Sequence, residues 1–545
     1  MRKFILIITL FFSLLAMGSS NAFCDDIVRV GISPTDFSVL EYSSASISAV
    51  DEYVVYDKVT QEEIFTGSCG IYVDFDVEDG GITVSSNGVV YKRGIRNPIG
   101  IKSKAFSKDN QFTVKNLKRK GKQAFYHGEF EVSFPKPTSQ KFSLINILPL
   151  EEYLKGVVPN EMPVRFGLEA LKAQAVAARN YTMSSNTKLY YNFDVCDSVK
   201  CQVYFGAATQ SSLSDQAVEE TKGLYAIYDK ELILALYSST AGGFTESHHN
   251  AFPGESNKLP SDEVIPYLIG RPDIESSCPR DLSNDEDAED FYVNCPNSYD
   301  IYSPNYRWTR SWTKEEMQKV LSDNLPKAGV FVEPQLPINV DIGNLVDIKV
   351  LKRGVSGKVI TLEIVTSNGS FFLSKELTIR RTFTKDGSAL PSANIVFKNV
   401  YDEEGNLSEI KVFGGGYGHG VGMSQYGAGF MAMQGDSFDE ILQHYYSGIS
   451  IGTRPAFVSV DEKLDLQFVA PKKRGYLFID NPDGVSHLSF RINGSDHEIK
   501  LKRRMKIDIS RLIKDFNIVS FWALDSSERD KKVKVWIEIF EAEDE

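Results

Sequence analysis

The sequence predicts an α+β protein with a mixed, β-rich core that carries a few helices, flanked by an N-terminal β module and a C-terminal β-sandwich. Its 545 residues are too many for one hydrophobic core, since domains average about 150 residues. Short alternating apolar runs separated by turn residues dominate both ends of the chain. Helical spacing of apolar residues is concentrated in the middle. A hydrophobic content of 42% is sufficient for globular folding.

The first 22 residues have the layout of a secretory signal peptide. Arg2 and Lys3 precede an apolar run from Phe4 to Met17, and small residues then lead to Ala22. We therefore expect an exported protein, located in the periplasm, the cell wall or outside the cell. Beyond residue 22 no apolar run approaches the roughly 20 residues that cross a bilayer, so we expect membrane attachment only through an uncleaved signal segment.

The mature chain divides into three predicted parts. Residues 23–140 alternate in short runs, which is typical of an antiparallel β module. Residues 141–457 form the core, in which 167–183 has the spacing of an amphipathic helix. Residues 458–545 return to alternation and predict a β-sandwich, a module that binds carbohydrate in some proteins and only packs against its neighbour in others.

Within the core, residues 275–305 are an acidic, polar insertion that we expect to be a loop. Residues 313–321 are predicted to be a helix, because Thr313 and Glu316 have the spacing of a capping box. Strands are predicted over 346–365 and again over 371–379.

Charge and cysteine content restrict the partners and the compartment. A net charge of -13 argues against nucleic acid as a main partner, since binding it requires neutralisation of phosphates. A neutral glycan meets no such objection. Six cysteines in an exported chain favour disulfides. The leading pair is Cys278 with Cys295, which would close the long acidic loop, and Cys24 with Cys69 is a further pair.

Two long motifs carry a resemblance to a known family. Residues 150–163 read LEEYLKGVVPNEMP and are followed by EALKAQAVAARNY at 169–181, while residues 416–428 read GYGHGVGMSQYGA and are continued by HYY at 444–446. Together with YSSTAGG at 237–243 and PYL at 266–268, they make the chain resemble the SpoIID/LytB family (stage II sporulation protein D and amidase enhancers) over roughly residues 28–455.

The resemblance implies a peptidoglycan lytic transglycosylase that cuts peptide-free glycan between N-acetylmuramic acid and N-acetylglucosamine, with Glu161 as general acid and base. One carboxyl is sufficient when the sugar's own 6-hydroxyl is the nucleophile and closes a 1,6-anhydro ring. Such a carboxyl must be partly desolvated so that its pKa rises toward the working pH. The alternative from the residues alone is that Glu161 caps or braces the following helix.

Further substrate-binding candidates follow from residue type and position. Eight glycines between Gly414 and Gly429 predict a loop whose backbone can approach a ligand closely. A second polar corner precedes Gly242, and two basic residues lie seven apart on the predicted helix 167–183, where salt bridges are the alternative. The candidates are His419, Ser424, Gln425, Tyr426, Ser239, Thr240, Lys172 and Arg179.

Cys196 and Cys201 match the two cysteines that bind zinc in the sporulation members of the family. Tyr190, Tyr191 and Asn192 occupy the region in which the family has its histidine ligand. An incomplete ligand set makes a poor structural zinc site, so we expect no cofactor and favour a local Cys196–Cys201 disulfide, with zinc as the alternative.

Two classes of function remain open from the sequence. The first is the enzyme described above, with peptidoglycan glycan strands as substrate. The second is an amidase enhancer that binds glycan or a cell-wall amidase and cuts nothing. A role in sporulation is one option for either.

Overall fold

A computed structural model describes residues 26–104, 110–184, 190–274, 281–294, 297–459, 462–471, 473–523 and 531–541. Helices and strands are intermixed and strands predominate, which confirms the predicted α+β, β-rich class. Within these ranges no helix is both long enough and apolar enough to cross a membrane. The predicted signal peptide, Cys24 and the Cys278–Cys295 pair lie outside the described residues.

The N-terminal part consists of short strands. They are Ile27–Gly31 (β1), Ser44–Ala49 (β2), Tyr53–Asp57 (β3), Glu63–Gly67 (β4), Val73–Glu78 (β5), Gly81–Ser86 (β6), Val89–Ile95 (β7), Ile99–Ser103 (β8), Phe112–Val114 (β9), Lys118–Arg119 (β10), Lys122–Gln123 (β11), Glu129–Ser133 (β12) and Ser143–Pro149 (β13). One large sheet has the strand order β7-β6-β5-β2-β9, another contains β1-β13-β12-β8-β3-β4, and β10 pairs with β11 in a small sheet of their own. The second large sheet contains strands from both sides of residue 140, because β13 is hydrogen-bonded between β1 and β12.

Strand β13 leads directly into the helices that form the centre of the core. The next elements are Leu150–Glu161 (α1), Leu168–Met183 (α2), Val195–Cys196 (β14), Ser212–Glu220 (α3), Tyr225–Tyr228 (β15), Glu231–Leu232 (β16), Tyr237–Ser238 (β17) and His248–Ala251 (α4). Helix α2 agrees with the predicted helix 167–183 to within one residue. Its small residues Ala173, Ala175 and Ala177 are fully buried, so neighbouring helices pack closely around it.

A second hydrophobic cluster, which includes Trp312, Met317 and Leu345, organises the following segment. Its elements are Asp285–Asn294 (α5), Trp308–Thr313 (β18), Lys314–Asn324 (α6), Val332–Glu333 (β19), Leu345–Arg353 (β20), Val359–Thr366 (β21), Gly369–Ser374 (β22), Glu376–Thr382 (α7), Ile395–Tyr401 (β23) and Leu407–Gly414 (β24). The capping box of Thr313 and Glu316 begins α6 as predicted.

Two predictions in this segment were wrong. The acidic stretch expected as a loop forms α5, because Phe291 and Tyr292 bury one face while the acidic residues of its first turn favour the positive end of the helix dipole. The strand predicted over 371–379 stops at Ser374. Lys375 has a φ of 73°, which ends the strand, and α7 follows.

Helices α8 and α9 follow the glycine-rich segment. The elements are Met423–Ser424 (β25), Gln425–Gln434 (α8), Phe438–Tyr445 (α9), Ser450–Gly452 (β26) and Ala456–Val458 (β27). The predicted loop 414–429 therefore ends early, since Gly427 and Gly429 lie inside α8. A side chain at Gly429 would come within 2.7 Å of the Phe166 ring, so glycine is needed there for close packing.

The C-terminal strands continue a sheet of the core. They are Leu464–Val469 (β28), Lys473–Asp480 (β29), His487–Ile492 (β30), Ser495–Lys500 (β31), Arg504–Asp508 (β32), Phe516–Ala523 (β33) and Val533–Glu541 (β34). One sheet has the order β28-β33-β30-β31, while the other runs β16-β15-β26-β34-β29-β32. Because β26 pairs with β34, removal of the C-terminal strands would expose an edge of the core.

Candidate functional site

Glu161 is the last residue of α1. Met162 adopts an extended conformation and Pro163 follows it, so the helix cannot continue. The carboxyl group therefore lies at the C-terminal end of a helix, where the partial negative charge of the helix dipole disfavours a further negative charge. This position is set locally by the Glu-Met-Pro sequence.

Two other chain segments contact Glu161. The backbone N–H of Val203 donates a hydrogen bond to Glu161 Oε1. The side-chain amide of Gln425 donates to the backbone carbonyl of Glu161 at 2.8 Å and to Gln174 Oε1 at 3.1 Å. Gln425 thus joins the start of α8 to both α1 and α2. The structure brings the glycine-rich segment against Glu161.

The surroundings of Glu161 favour its neutral form. Burial raises its pKa from the ordinary 4.5 to about 7, against the opposing hydrogen bonds from Val203 and Gln425. Burial chiefly raises the pKa values of Tyr153 and Tyr237, and the negative charge of ionised Glu161 adds to the rise. As a whole residue Glu161 is only partly buried, so part of its surface remains exposed. A group of this kind can exchange a proton with a bound molecule near neutral pH.

Gln202 fixes the segment that contacts Glu161. Its side-chain amide donates to the Thr182 hydroxyl at 2.8 Å and to the Tyr153 hydroxyl at 3.3 Å, and it accepts from the Tyr237 hydroxyl at 2.9 Å. The buried amide therefore links α1, α2 and β17, and it places the next residue, Val203, against the carboxylate. Neither Gln202 nor Val203 could be predicted as a site residue from the sequence, because only their contacts in three dimensions reveal their role.

The strand β17 and the glycine-rich segment lie side by side. Strand β17 pairs in parallel with β25, and Thr240 forms an isolated bridge with Tyr417. Gly422 has a φ of 72°, and a side chain there would come within 2.0 Å of the Leu236 carbonyl oxygen. Glycine at this position permits both the turn and the close approach.

His419 is a neutral imidazole in this arrangement. Burial, followed by the positive charges of Lys358 and Arg380, lowers its pKa to about 3. The backbone N–H of Val421 donates to His419 Nδ1 at 3.1 Å, so the proton of the neutral ring is on Nε2, and a hydrogen bond joins the ring to the Tyr237 backbone. His419 therefore connects the glycine-rich segment to the strand that carries Tyr237, and it does not titrate near neutral pH.

The remaining polar candidates have different surroundings. Ser424 is buried and caps α8 by accepting the N–H of Gly427 at 3.4 Å. The Ser239 and Thr240 hydroxyls lie 3.3 Å apart, and Thr240 also contacts the Ser303 hydroxyl at 2.6 Å. Ser424 and Thr240 stabilise the loop from inside.

Tyr426 lies at the surface beside the end of α1. Its hydroxyl accepts from Arg165 at 3.3 Å, and its ring packs edge-on against Phe166 at 4.9 Å. Of the candidates in the glycine-rich segment, Tyr426 and Gln425 are those that contact the chain next to Glu161.

Lys172 and Arg179 form ion pairs. The Lys172 ammonium lies 2.7 Å from Glu169 and 2.6 Å from Glu220, and the fully buried Arg179 guanidinium lies 2.6 Å from Glu151. They hold α2 against α1 and α3. Both residues therefore make the salt bridges that the sequence offered as the alternative to substrate binding. Within the part of the chain that the structure describes, neither side chain contacts Glu161.

Cys196 and Cys201 are free thiols whose sulfur atoms lie 3.0 Å apart, so the structure does not contain the predicted local disulfide. Cys69 is an exposed free thiol. The Tyr190 hydroxyl lies 3.7 Å from the Cys201 sulfur, in the place expected for a third zinc ligand. In the described parts of the chain no group of three His, Cys, Asp or Glu side chains gathers around one point. The donor set does not fit a structural zinc site.

Comparison with known proteins places the chain in a family. The family described as SpoIID, stage II sporulation protein, matches residues 138–228, which include Glu161. Stage II sporulation protein D of Bacillus subtilis (strain 168) is 30% identical over 344 residues, covering 60% of this chain and 81% of that protein. The chain belongs to the SpoIID family.

Other matches extend beyond this SpoIID region. The amidase enhancer of Bacillus subtilis (strain 168) is 33% identical over 311 residues, which are 55% of this chain but only 40% of that relative. An uncharacterized protein of Brachyspira hyodysenteriae (strain ATCC 49526 / WA1) is 29% identical over 438 residues, covering 80% of this chain and 95% of that protein. A domain of unknown function, DUF8618, matches residues 256–422.

Proposed function

We propose that this SpoIID-family chain is an exported peptidoglycan lytic transglycosylase that cleaves glycan strands between N-acetylmuramic acid and N-acetylglucosamine and leaves 1,6-anhydro ends. One observation carries the proposal: Glu161 is a half-buried carboxyl with a pKa near 7, held by contacts from two other segments. A carboxyl with this pKa is protonated often enough at neutral pH to act as an acid, and its conjugate base is strong enough to accept a proton afterwards.

The reaction needs one carboxyl in two successive roles. Protonated Glu161 donates its proton to the glycosidic oxygen as the bond from that oxygen to C1 of muramic acid breaks. The resulting carboxylate then removes the proton from the 6-hydroxyl of the same sugar, whose oxygen bonds to C1. Glu161 is restored to its protonated form, no water is consumed, and no second carboxylate is needed.

The neighbouring groups support this cycle by fixing the carboxyl. The Val203 N–H stabilises the ionised form and limits how far burial raises the pKa. Gln425 holds the backbone at Glu161, and neutral His419 connects the glycine-rich segment to the strand of Tyr237 without changing charge. These residues position the acid, whereas Glu161 alone exchanges the proton.

A second candidate function is favoured by the name of one relative. The amidase enhancer of Bacillus subtilis is 33% identical to this chain, which supports association with a cell-wall amidase. In that function the same surface would bind glycan or the amidase without cutting. The names of the relatives also support a cell-wall role in sporulation.

The test is incubation of purified protein with glycan strands whose stem peptides have been removed, followed by mass spectrometry of the products. Anhydromuramic ends are expected with the wild type and not with Glu161→Gln. Glu152→Gln is a matched control, because it makes the same substitution on the same helix at a residue paired with Lys155. Wild-type protein that binds the strands and yields no anhydro ends would contradict the transglycosylase and favour the enhancer.

A further inference from the structure

The outward face of α8 is apolar. Tyr426, Phe430 and Met433 follow one another at helical spacing, with Tyr426 and Phe430 half-exposed and Met433 61% exposed. Surface helices usually carry charged residues on their outer face, yet α8 contains no charged residue. The inner face is explained by packing against the core. On the outer face Tyr426 packs partly on the core through Phe166, whereas neither Phe430 nor Met433 is among the described residues packed against the core cluster.

Two tyrosines from the 297–306 region stack on this face. The rings of Tyr299 and Tyr302 lie 5.7 and 5.8 Å from the Phe430 ring, each inclined by 27°. Tyr302 is 72% exposed, so most of its surface faces solvent. Both tyrosines lie beyond the part of the chain that matches the SpoIID description, within the match to DUF8618.

This aromatic surface starts beside Glu161. Tyr426 directly follows Gln425, the residue that hydrogen-bonds the Glu161 carbonyl. Four residues of helix separate Tyr426 from Phe430 by about 6 Å along the helix axis, and the ring of Tyr302 lies 5.8 Å beyond, stacked on that of Phe430.

Arg165 provides a positive charge at the end next to Glu161. Its guanidinium is exposed and donates to the Tyr426 hydroxyl. Within the described ranges no carboxylate lies at ion-pair distance from it. On a chain with a net charge of -13, an unpaired arginine beside aromatic rings is complementary to a sugar that bears a carboxylate.

We propose that Arg165, Tyr426, Phe430 and Tyr302 form an aromatic track that binds the sugar rings of an anionic glycan strand beyond those at Glu161. Pyranose rings have an apolar face that packs on an aromatic ring, and the lactyl carboxylate of muramic acid is the group that pairs with Arg165. This inference rests on the proposed function for the identity of the glycan. It assigns to the DUF8618 region the role of lengthening the binding surface.

The test measures binding of fluorescently labelled, peptide-free glycan strands of increasing length to protein carrying Glu161→Gln, which prevents cleavage. Adding Tyr302→Ala should weaken binding of long strands about three- to tenfold and leave a disaccharide unaffected, since one aromatic contact is lost. Tyr302→Phe should restore binding, because the ring and not the hydroxyl makes the contact. Tyr401→Ala is the control, since Tyr401 is a 49% exposed tyrosine on β23 outside the track.

Arg165→Gln tests how much the positive charge contributes to glycan binding independently of the aromatic rings. It should weaken binding of the glycan strands and leave binding of chitin oligomers, which lack the lactyl carboxylate, unchanged. Equal binding of long strands by the Glu161→Gln parent and by its Tyr302→Ala derivative would overturn the track. Wild-type cleavage accompanied by that result would leave the proposed function intact. Failure to cleave, with ring-dependent binding retained, would reject the enzyme and keep the track.

Discussion

Replacing Glu161 by glutamine is expected to stabilise the protein above neutral pH. The pKa of Glu161 is about 7 in the folded protein and 4.5 ordinarily. A gap of about 2.5 pH units, at about 1.36 kcal/mol per unit, corresponds to about 3 kcal/mol. This is the free energy that the folded protein loses when the carboxyl ionises in its half-buried position.

The sign follows from proton binding. Between pH 4.5 and 7 the folded protein holds a proton that the unfolded chain has released, so the wild type loses stability as the pH rises through this window. Below the window both states are protonated and nothing is lost. Glutamine is neutral throughout and its side-chain oxygen can still accept the Val203 N–H.

The assay is thermal unfolding of wild type and Glu161→Gln at pH 4 and pH 8.5, followed by circular dichroism. The two melting temperatures should agree at pH 4, and the variant should melt several degrees higher at pH 8.5. Glu152→Gln should show no such pH-dependent gain. Parallel pH profiles for wild type and Glu161→Gln would refute the argument, because they would mean that Glu161 ionises as freely as an exposed carboxyl.

Three further outcomes are expected. If protonated Glu161 is the acid, kcat/KM for peptide-free glycan should be constant below about pH 7 and fall about tenfold per unit above it, measured from the release of anhydro ends. Gln425→Leu should cost about 1–3 kcal/mol in denaturant unfolding, because it removes the donor from one buried oxygen and one partly buried oxygen, and it should lower kcat more than it raises KM. Mild oxidation should join Cys196 to Cys201, whose sulfurs already lie in contact, and mass spectrometry should find both protected from alkylation; full alkylation after oxidation would reject this.

The parts of the fold predicted well are those that local sequence determines. Helix α2 follows from apolar spacing over sixteen residues, and α6 begins at a capping box that needs only Thr313 and Glu316. Helix α5 was missed because its acidic sequence gives little apolar signal. Phe291 and Tyr292 make it a helix by packing into a cluster formed with distant residues.

The residues of the candidate site likewise fall into those that local sequence identifies and those that only the folded structure identifies. The sequence identifies Glu161 and the glycine-rich segment, because their motifs are long. It does not identify Gln202 or Val203, whose importance arises from hydrogen bonds to α1 across 49 and 42 residues of sequence. It also cannot distinguish Gln425, which contacts Glu161, from Lys172, which has an equally plausible residue type but is held in ion pairs.

The two faces of α8 explain why the glycine-rich motif extends into a helix. On the inner face, glycine at 429 lets the helix approach the Phe166 ring, and this closeness brings Gln425 within hydrogen-bond distance of Glu161. A larger residue there would move α8 outward and would release both contacts together. The same approach sets the outer face, with Tyr426 and Phe430, level with the end of α1. The packing that brings Gln425 to the proposed acid is therefore also the packing that aligns the aromatic track with it, and a change in one is expected to disturb the other.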